Sequence, residues 1–149
     1  MASQDELDFA YLAMAEIWSR LSKAIRKKVG CLIVKDGVII SDGYNGTPRG
    51  FDNKCEFNHK YSPSNPNALT TKPEVLHAES NAITKLAKST QSSDGSTMYT
   101  TISPCVDCSK LIIQSGIKRV VYKEFYRDND GVELLIKANI EVIKHEKQN

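Results

Sequence analysis

The sequence predicts an α/β protein in which a mixed sheet carries helices on its faces. Two β-branched runs surround Asp36-Gly37, and such a dipeptide between apolar runs is the strongest short signal for a β-hairpin. After residue 76 the chain alternates between strand-like and helix-like segments. A hairpin pairs its strands antiparallel, whereas strands joined through helices pair in parallel, so the two patterns together predict a mixed sheet.

The N-terminal segment is predicted to form one amphipathic helix from residue 5 to about residue 25. Its large apolar residues recur at alternating spacings of four and three, which is the period of one helix face. They are Leu7, Tyr11, Met14, Trp18, Leu21 and Ile25. The two strands of the hairpin follow at residues 29–34 and 38–41.

A long connection is predicted after the hairpin, at about residues 47–74. Residues 43–74 contain four of the five prolines and show no periodicity. Connections of this length are usually functional lids or binding loops, or else mobile insertions. The sequence leaves both possibilities open.

The remainder of the chain is predicted to alternate regularly. A helix begins near His77 and runs to Ala87, and a polar break follows at residues 89–95. The expected order is then a strand at 97–102, a helix at 105–115 ended by Gly116, a strand at 119–122, a helix at 132–138 ended by Asn139, and a strand at 140–144. His145 lies close to the end of the chain and is expected to be solvated.

Length and composition predict a single domain over residues 1–149, because 149 residues can enclose a full core. The first residues lack the basic start and apolar stretch of a secretory signal, and no long apolar run occurs, so we expect a cytoplasmic protein with no membrane partner. A net charge of +2 is too balanced for a protein that binds a long nucleic acid by charge. A small anion needs only one local cluster, and Arg26, Lys27 and Lys28 form the densest one.

Two short clusters carry the candidate chemistry. They are His77-Ala78-Glu79 and the segment from Ser103 to Cys108, with 25 residues between Glu79 and Cys105. His77, Cys105 and Cys108 are ligand types that zinc prefers, and three protein ligands leave the open fourth position of a catalytic site. Each cluster lies at the start of a predicted helix, where side chains tilt toward the N-terminus and can converge on one metal. The pattern predicts one catalytic zinc per chain, with Glu79 beside the metal.

Other interpretations of the cysteines stay open. Cys105 and Cys108 alone could be a redox pair, although a thioredoxin-type C-x-x-C motif does not need His-x-Glu. They could also be half of a structural zinc site completed by Cys31, Cys55 or His59. Cys31 alternates within a strand and is expected to be a small buried hydrophobe. Cys55 and His59 have a spacing that some metal sites use, which leaves a second zinc possible there.

The two clusters also carry a family resemblance. His-x-Glu followed by Pro-Cys-x-x-Cys is the signature of the zinc nucleobase deaminases, and this chain resembles that superfamily. The surrounding residues are similar to those of deoxycytidylate (dCMP) deaminases. The similar segments are residues 26–30, 43–48, 76–83 and 101–105.

The resemblance implies a fold and a reaction. The fold is a three-layer α/β/α sandwich around a five-stranded mixed sheet, of the cytidine-deaminase type. The reaction is the zinc-dependent conversion of dCMP and water to dUMP and ammonia, which supplies dUMP for thymidylate synthesis. Glu79 would be the catalytic proton carrier: it would take the water proton, pass it to ring atom N3, and then help protonate the departing ammonia.

The resemblance also suggests residues that bind the substrate. It places Asn45 near the sugar, Arg26, Lys28 and Tyr126 near the 5′-phosphate, and Ser103 in the pocket. Asn45 could simply adopt a left-handed turn conformation, and Tyr126 could be an ordinary packed aromatic residue. Relatives often carry aliphatic and aromatic residues where this chain has Thr84-Lys85, so the residue that stacks on the pyrimidine is open.

Members of the resembled family are typically homohexamers activated by dCTP with Mg²⁺ and inhibited by dTTP. The resemblance assigns the effector to the glycine-rich loop of Gly43, Tyr44, Asn45 and Gly46, with Arg49 adding charge. The loop could instead only shape the substrate pocket. Two further alternatives are a deaminase of tRNA adenosine, a free base or a nucleoside, and a noncatalytic zinc-stabilised binding module.

Overall fold

The hairpin and the alternating segments meet in one mixed sheet. The computed structural model describes residues 1–58 and 69–146. In chain order its elements are α1 (Gln4–Ser19), β1 (Gly30–Lys35), β2 (Val38–Tyr44), β3 (Glu56–Asn58), β4 (Leu69–Thr71), α2 (Ala78–Leu86), β5 (Thr97–Ile102), α3 (Val106–Gln114), β6 (Arg119–Glu124), α4 (Asp130–Lys137) and β7 (Glu141–Lys144).

The central sheet has five strands in the order β2-β1-β5-β6-β7. β1 runs antiparallel to β2 and to β5, whereas β5, β6 and β7 are parallel. Asp36 and Gly37 connect β1 to β2 with φ angles of 50° and 74°, the left-handed pair that a tight hairpin turn requires. The predicted hairpin and mixed sheet are confirmed.

Helices cover both faces of the sheet, so the helices and the sheet together form three layers. On one face, α1 packs Leu12 and Ala15 against Leu32, Tyr99 and Val121. On the other face, α2, α3 and α4 pack against the inner strands. The buried residues of this second cluster include Cys31, Ile33, Ala78, Ala82, Met98, Ile112, Val120 and Leu135. The expected α/β/α sandwich is confirmed.

The first helix is shorter than predicted, and most of its apolar stripe is not buried. α1 ends at Ser19, with Arg20 as its C-cap, rather than near residue 25. Its buried residues are Asp8, Leu12, Ala15 and Ser19. Most of the predicted apolar stripe faces outward, and Met14 and Leu21 keep 44% and 46% of their surface exposed. The predicted length was therefore wrong, and the helix face that packs on the sheet is mostly not the apolar stripe.

A buried ion pair explains which face of α1 turns inward. Asp8 is 3% exposed. Its carboxylate accepts hydrogen bonds from Arg119 at 2.6 and 2.8 Å and from the Tyr99 hydroxyl at 2.7 Å. Burial by itself raises the pKa of Asp8, but the hydrogen bonds from Arg119, Tyr99 and Gln4 lower it below its ordinary value. Because Asp8 must face Arg119, the neighbouring apolar residues are rotated outward.

The long connection contains regular structure that its sequence does not indicate. β3 and β4 form a small antiparallel sheet in which Glu56 pairs with Thr71. Lys72 extends this pairing by donating a backbone hydrogen bond to Cys55 at 2.8 Å. Within the described ranges, no helix combines the length and the apolar character needed to cross a membrane.

Candidate active site

Three metal-ligating side chains converge where α2 and α3 begin. His77 is the N-cap residue of α2, Cys105 is the N-cap residue of α3, and Cys108 lies in the first turn of α3. His77 Nδ1 is 3.5 Å from Cys105 Sγ and 3.3 Å from Cys108 Sγ. The side chains of both N-cap residues therefore point at a shared centre. We call His77, Cys105 and Cys108 the metal cluster.

The donors and spacing of the metal cluster fit zinc. Its three ligand atoms lie within 4.8 Å of one another, and tetrahedral Zn–N and Zn–S bonds require separations of about 3.6 Å. The hydrogen bond from Cys108 lowers the pKa of Cys105 to about 4, and the same bond raises the pKa of Cys108. The cluster therefore already favours one thiolate, which is the form of cysteine that binds metal.

Glu79 lies beside the metal cluster, buried in the first turn of α2. The side chain is 4% exposed, and its Oε1 accepts a hydrogen bond of 2.8 Å from the Thr100 hydroxyl. Burial raises the pKa of the Glu79 carboxyl, while bonds from its own backbone N–H and from Thr100 oppose that rise. A carboxyl group held next to a metal without belonging to its ligands is suited to proton transfer.

Two close backbone approaches place the helix ends that carry the ligands. A Cβ atom at Gly43, in β2, would overlap the backbone oxygen of Ala78, so glycine lets α2 approach the sheet. A Cβ atom at Gly131, in α4, would likewise overlap the backbone oxygen of Pro104, next to Cys105. The position of each N-cap ligand thus depends on a glycine of a different element.

A cavity of about 300 Å³ opens onto this centre. His77, Glu79 and Cys105 contribute to its lining. The other lining residues include apolar and aromatic side chains and three cations: Val75, Ile102, Phe125, Tyr126, Arg26, Lys27 and Arg127. A mainly apolar wall with a few placed charges is typical of a site for a small ligand.

The cations of the sequence cluster lie in a segment without helix or strand, residues 24–29, which we call the basic turn. Arg26 and Lys27 line the cavity, whereas Lys28 is not among its lining residues. Asn45 also lines the cavity. Its amide Oδ1 accepts a hydrogen bond from Val29 N and its Nδ2 donates to Lys27 O, both at 2.8 Å. The Asn45 side chain therefore holds the basic turn.

The segment after β6 forms another part of the cavity wall. Ser103 Oγ accepts a hydrogen bond of 2.6 Å from the backbone N–H of Tyr126. The Arg127 guanidinium lies 5.0 Å from the centre of the Tyr126 ring, a cation–π distance. Ser103 and Tyr126 are thus brought to the cavity together, as the sequence suggested, and Arg127 joins them.

The glycine-rich loop borders a second cavity, of about 240 Å³. Tyr44, Asn45 and Gly46 line it, whereas Gly43 and Arg49 are not among its lining residues. Asn45 and Cys55 line both cavities. Lys85 lines the second cavity but not the first, and it pairs with Asp42 at 2.6 Å. Phe125 and Tyr126 provide aromatic side chains at the first cavity instead.

Sequence reasoning missed four polar residues of this region. Glu56, Thr71 and Arg127 line the first cavity, and Thr100 lies behind Glu79. Glu56 and Thr71 belong to the aperiodic connection, where no local pattern marks them. Only Arg127 had a signal, because it follows Tyr126 directly.

The predictions for the remaining cysteines and histidines are confirmed for one residue, wrong for another and still open for two. Cys31 is fully buried, as expected, and burial raises the pKa of its thiol. Cys55 is buried too, and His59 lies outside the described residues, so the possible second zinc stays a prediction. His145 is not solvated: it is 9% exposed and its Nε2 lies 3.2 Å from Asp5 Oδ1. That prediction was wrong, because the segment after β7 packs under the start of α1.

Comparison with known proteins gives a consistent result. Residues 3–124 match the family model of the cytidine and deoxycytidylate deaminase zinc-binding region. Deoxycytidylate deaminase of Enterobacteria phage T4 is 36% identical over an alignment 183 positions long, gaps included, which covers all of this chain and 92% of the relative.

Solved structures show the same similarity. The dCMP deaminase of cyanophage S-TIM5, in complex with dCMP and dUMP, superposes with a TM-score of 0.86 at 44% identity, covering 96% of this chain and 99% of that one. A bifunctional diaminohydroxyphosphoribosylaminopyrimidine deaminase and reductase of Thermotoga maritima is more distant. It has a TM-score of 0.71 at 26% identity, and the match covers 96% of this chain and 37% of that one.

Proposed function

This chain belongs to the zinc-binding cytidine and deoxycytidylate deaminase family, and on that premise we propose that it hydrolyses dCMP to dUMP and ammonia. It is a deaminase of the zinc-dependent family. The observation that carries the choice of substrate is the cavity, which joins the metal cluster and Glu79 to a wall containing Arg26, Lys27 and Arg127. A nucleoside needs no such cations, whereas a nucleotide phosphate does. The S-TIM5 relative, solved with dCMP and dUMP, supports the same substrate.

In this proposal His77, Cys105 and Cys108 hold one catalytic zinc. Zinc, when bound, supplies Lewis acidity that lowers the pKa of a coordinated water to about 7. Glu79 accepts a proton from the attacking water and donates it to N3 of the pyrimidine ring. The same carboxylate then takes the proton of the hydroxyl formed at C4 and passes it to the amino group, which leaves as ammonia as the C4 carbonyl forms. Burial of Glu79 keeps bulk water from competing for these protons.

The remaining cavity residues bind and orient the nucleotide. Arg26 contacts the 5′-phosphate with support from Lys27, and its fork of N–H donors suits phosphate oxygens. Phe125 and Tyr126 supply aromatic surface, and Ser103 and Asn45 hold the walls between which the sugar lies. Lys28 stays a prediction, since it is not among the lining residues.

The experiment is ammonia release from zinc-loaded protein. The substrates are dCMP, CMP, deoxycytidine, cytosine and a tRNA anticodon stem-loop containing adenosine. We expect the highest kcat/KM with dCMP and little activity on the unphosphorylated compounds. Preference for the stem-loop or for deoxycytidine would identify one of the alternative deaminases and overturn this substrate. The binding-module alternative predicts four protein ligands, whereas the metal cluster found among the described residues has three.

Regulation is a further part of the proposal. The second cavity is bordered by Tyr44, Asn45 and Gly46 and by the cations Lys23 and Lys85, which suits the phosphates of a nucleotide effector. We propose that dCTP with Mg²⁺ activates the enzyme and that dTTP inhibits it, with the effector in this cavity. The dCMP saturation curve is then sigmoidal alone, hyperbolic with Mg²⁺ and dCTP, and sigmoidal again with dTTP. A hyperbolic curve that neither nucleotide shifts removes regulation but leaves the deaminase.

The proposal includes a homo-oligomer, most simply a hexamer, in the cytoplasm. Exposed apolar residues on α1 and in the segment that follows it support assembly, because exposed apolar surface marks interaction sites. They are Leu7, Met14, Ile17, Trp18, Leu21 and Ile25. Leu21 also lines the second cavity, so a neighbouring subunit would border the effector. Light scattering should give six chains for the native protein and fewer for Ile17→Asp. A monomeric native protein would contradict this part.

A further inference from the structure

One acidic residue of the cavity wall takes no part in the chemistry described above. Glu56, the first residue of β3, lines the cavity but is not part of the metal cluster. Its Oε1 accepts two hydrogen bonds from successive backbone N–H groups, 2.8 Å from Ile25 and 3.1 Å from Arg26. One carboxylate oxygen therefore fixes the first half of the basic turn.

The second half of the basic turn is fixed from another element. Asn45, just after β2, bonds to Lys27 O and to Val29 N. Two side chains thus satisfy four backbone groups of residues 25–29. A segment without helix or strand is otherwise free to sample many conformations, and ordering it costs conformational entropy.

The small sheet also reaches the side chain of Arg26. Arg26 Nη1 donates a hydrogen bond of 3.3 Å to Thr71 Oγ1, and Thr71 is the residue of β4 that pairs with Glu56. Neighbouring residues of one sheet therefore hold both the backbone and the guanidinium of Arg26. The long connection contributes to the site through this support.

We infer that Glu56 is a positioning residue that makes catalysis depend on the 5′-phosphate of the substrate. By holding the backbone of the basic turn, Glu56 presents Arg26 and Lys27 in the conformation that binds phosphate, so that binding does not have to order the turn. The inference rests on the proposed function, since it requires dCMP as the substrate. This positioning role distinguishes Glu56 from residues that contact the ring or the sugar directly.

Two variants at this position separate the hydrogen bonds from the charge. Glu56→Gln keeps a side-chain oxygen that can accept both backbone N–H groups, whereas Glu56→Ala removes it and leaves two donors without their partner. We expect Glu56→Ala to raise KM for dCMP about tenfold with kcat at saturation within about twofold of the native value. Glu56→Gln should restore KM to within about threefold of the native enzyme. Neither variant should change kcat/KM for deoxycytidine, which has no phosphate.

Product binding gives a measurement independent of turnover. Calorimetric titration with dUMP should show a dissociation constant raised about tenfold in Glu56→Ala but not in Glu56→Gln. Deoxyuridine should bind all three proteins alike. Asp52→Ala is the matched control, because Asp52 is an acid of the same connection that pairs with Lys72 at 3.8 Å and is not among the lining residues. This control variant should leave the KM for dCMP and the dissociation constant for dUMP unchanged.

The outcomes also distinguish this inference from the proposed function. Equal losses on dCMP and deoxycytidine in both variants would make Glu56 a contact to the nucleoside and overturn the positioning role. Unchanged dCMP kinetics in Glu56→Ala would overturn it as well, while leaving the deaminase assignment intact. A native enzyme that does not prefer dCMP to deoxycytidine would overturn the proposed function and the inference together.

Discussion

The metal cluster and the basic turn face the same cavity but are held by different kinds of structure. His77 and Cys105 are the N-cap residues of two helices, so the start of a regular helix sets the backbone of each ligand. The basic turn has no helix or strand of its own and is held by Asn45 and Glu56, which lie 16 to 31 residues away along the chain. The helix starts that carry the proposed metal ligands are therefore set locally, although glycines of other elements let these helices approach, whereas the residues proposed to select the substrate are held by distant side chains.

Loss of a cluster ligand should have the largest effect. Cys105→Ala removes one of three ligands, so we expect loss of bound zinc, loss of measurable deamination and a lower melting temperature. Zinc content by mass spectrometry and thermal unfolding measure these effects. Cys31→Ala is the matched control, because Cys31 is buried outside the cluster. A Cys105→Ala protein that keeps one zinc per chain would show that the cluster is not the metal site.

Glu79→Gln should separate catalysis from metal binding. We expect kcat to fall by about 10²- to 10⁴-fold, because the amide cannot carry the proton. Zinc content should stay at one per chain, since Glu79 is not a ligand. Appreciable activity in this variant would exclude Glu79 as the proton carrier, and loss of zinc would make it part of the metal site.

Arg26→Ala tests the basic turn. A charge-assisted contact to phosphate is lost, so kcat/KM for dCMP should fall by about 10- to 100-fold, with deoxycytidine unaffected. Lys28→Ala is the natural comparison, because Lys28 is a cationic neighbour that is not among the lining residues. We expect a smaller loss in that variant. If kcat/KM in Arg26→Ala fell equally for dCMP and for deoxycytidine, Arg26 would be structural. The contrast between the metal cluster and the basic turn would then disappear.

Thr100→Val should give the smallest effect and refine the account of Glu79. It removes the hydroxyl that donates to Glu79 Oε1 and keeps the shape of the side chain. We expect kcat to fall by about threefold to tenfold with KM unchanged, because only the position of the proton carrier is altered. Thr100→Ser should recover the native kcat. Thr101→Val provides the control, since its hydroxyl accepts from Gly30 N rather than contacting Glu79; an equal loss of kcat there would assign the effect to the strand.

Local patterns predicted the elements that place the metal cluster. The hairpin, the alternating strands and helices, and the helix starts at His77 and Cys105 all follow from short-range signals of turn, period and capping position. The position of Asn139 beyond α4 is of the same kind, with a φ of 62°. Such features depend on residues within one or two helical turns, so a single sequence contains the information.

Features that depend on tertiary pairing were missed or predicted wrongly. The period of α1 is present in the sequence, but which face turns inward depends on Asp8 meeting Arg119, 111 residues away. The small sheet of β3 and β4 has no signal in its proline-containing connection. Glu56 binds main-chain groups, which every residue type carries, so no complementary residue in the sequence indicates its partner.

The two glycine contacts near the ligands have a consequence for how the metal site responds to mutation. Gly43 and Gly131 have no donor atom, yet a side chain at either would displace the helix start that carries His77 or the backbone beside Cys105. A random-mutagenesis library scored only for zinc retention should therefore report positions 43 and 131 along with the three ligands. Mutational tolerance of the metal site therefore depends on two residues that contribute only by having no side chain.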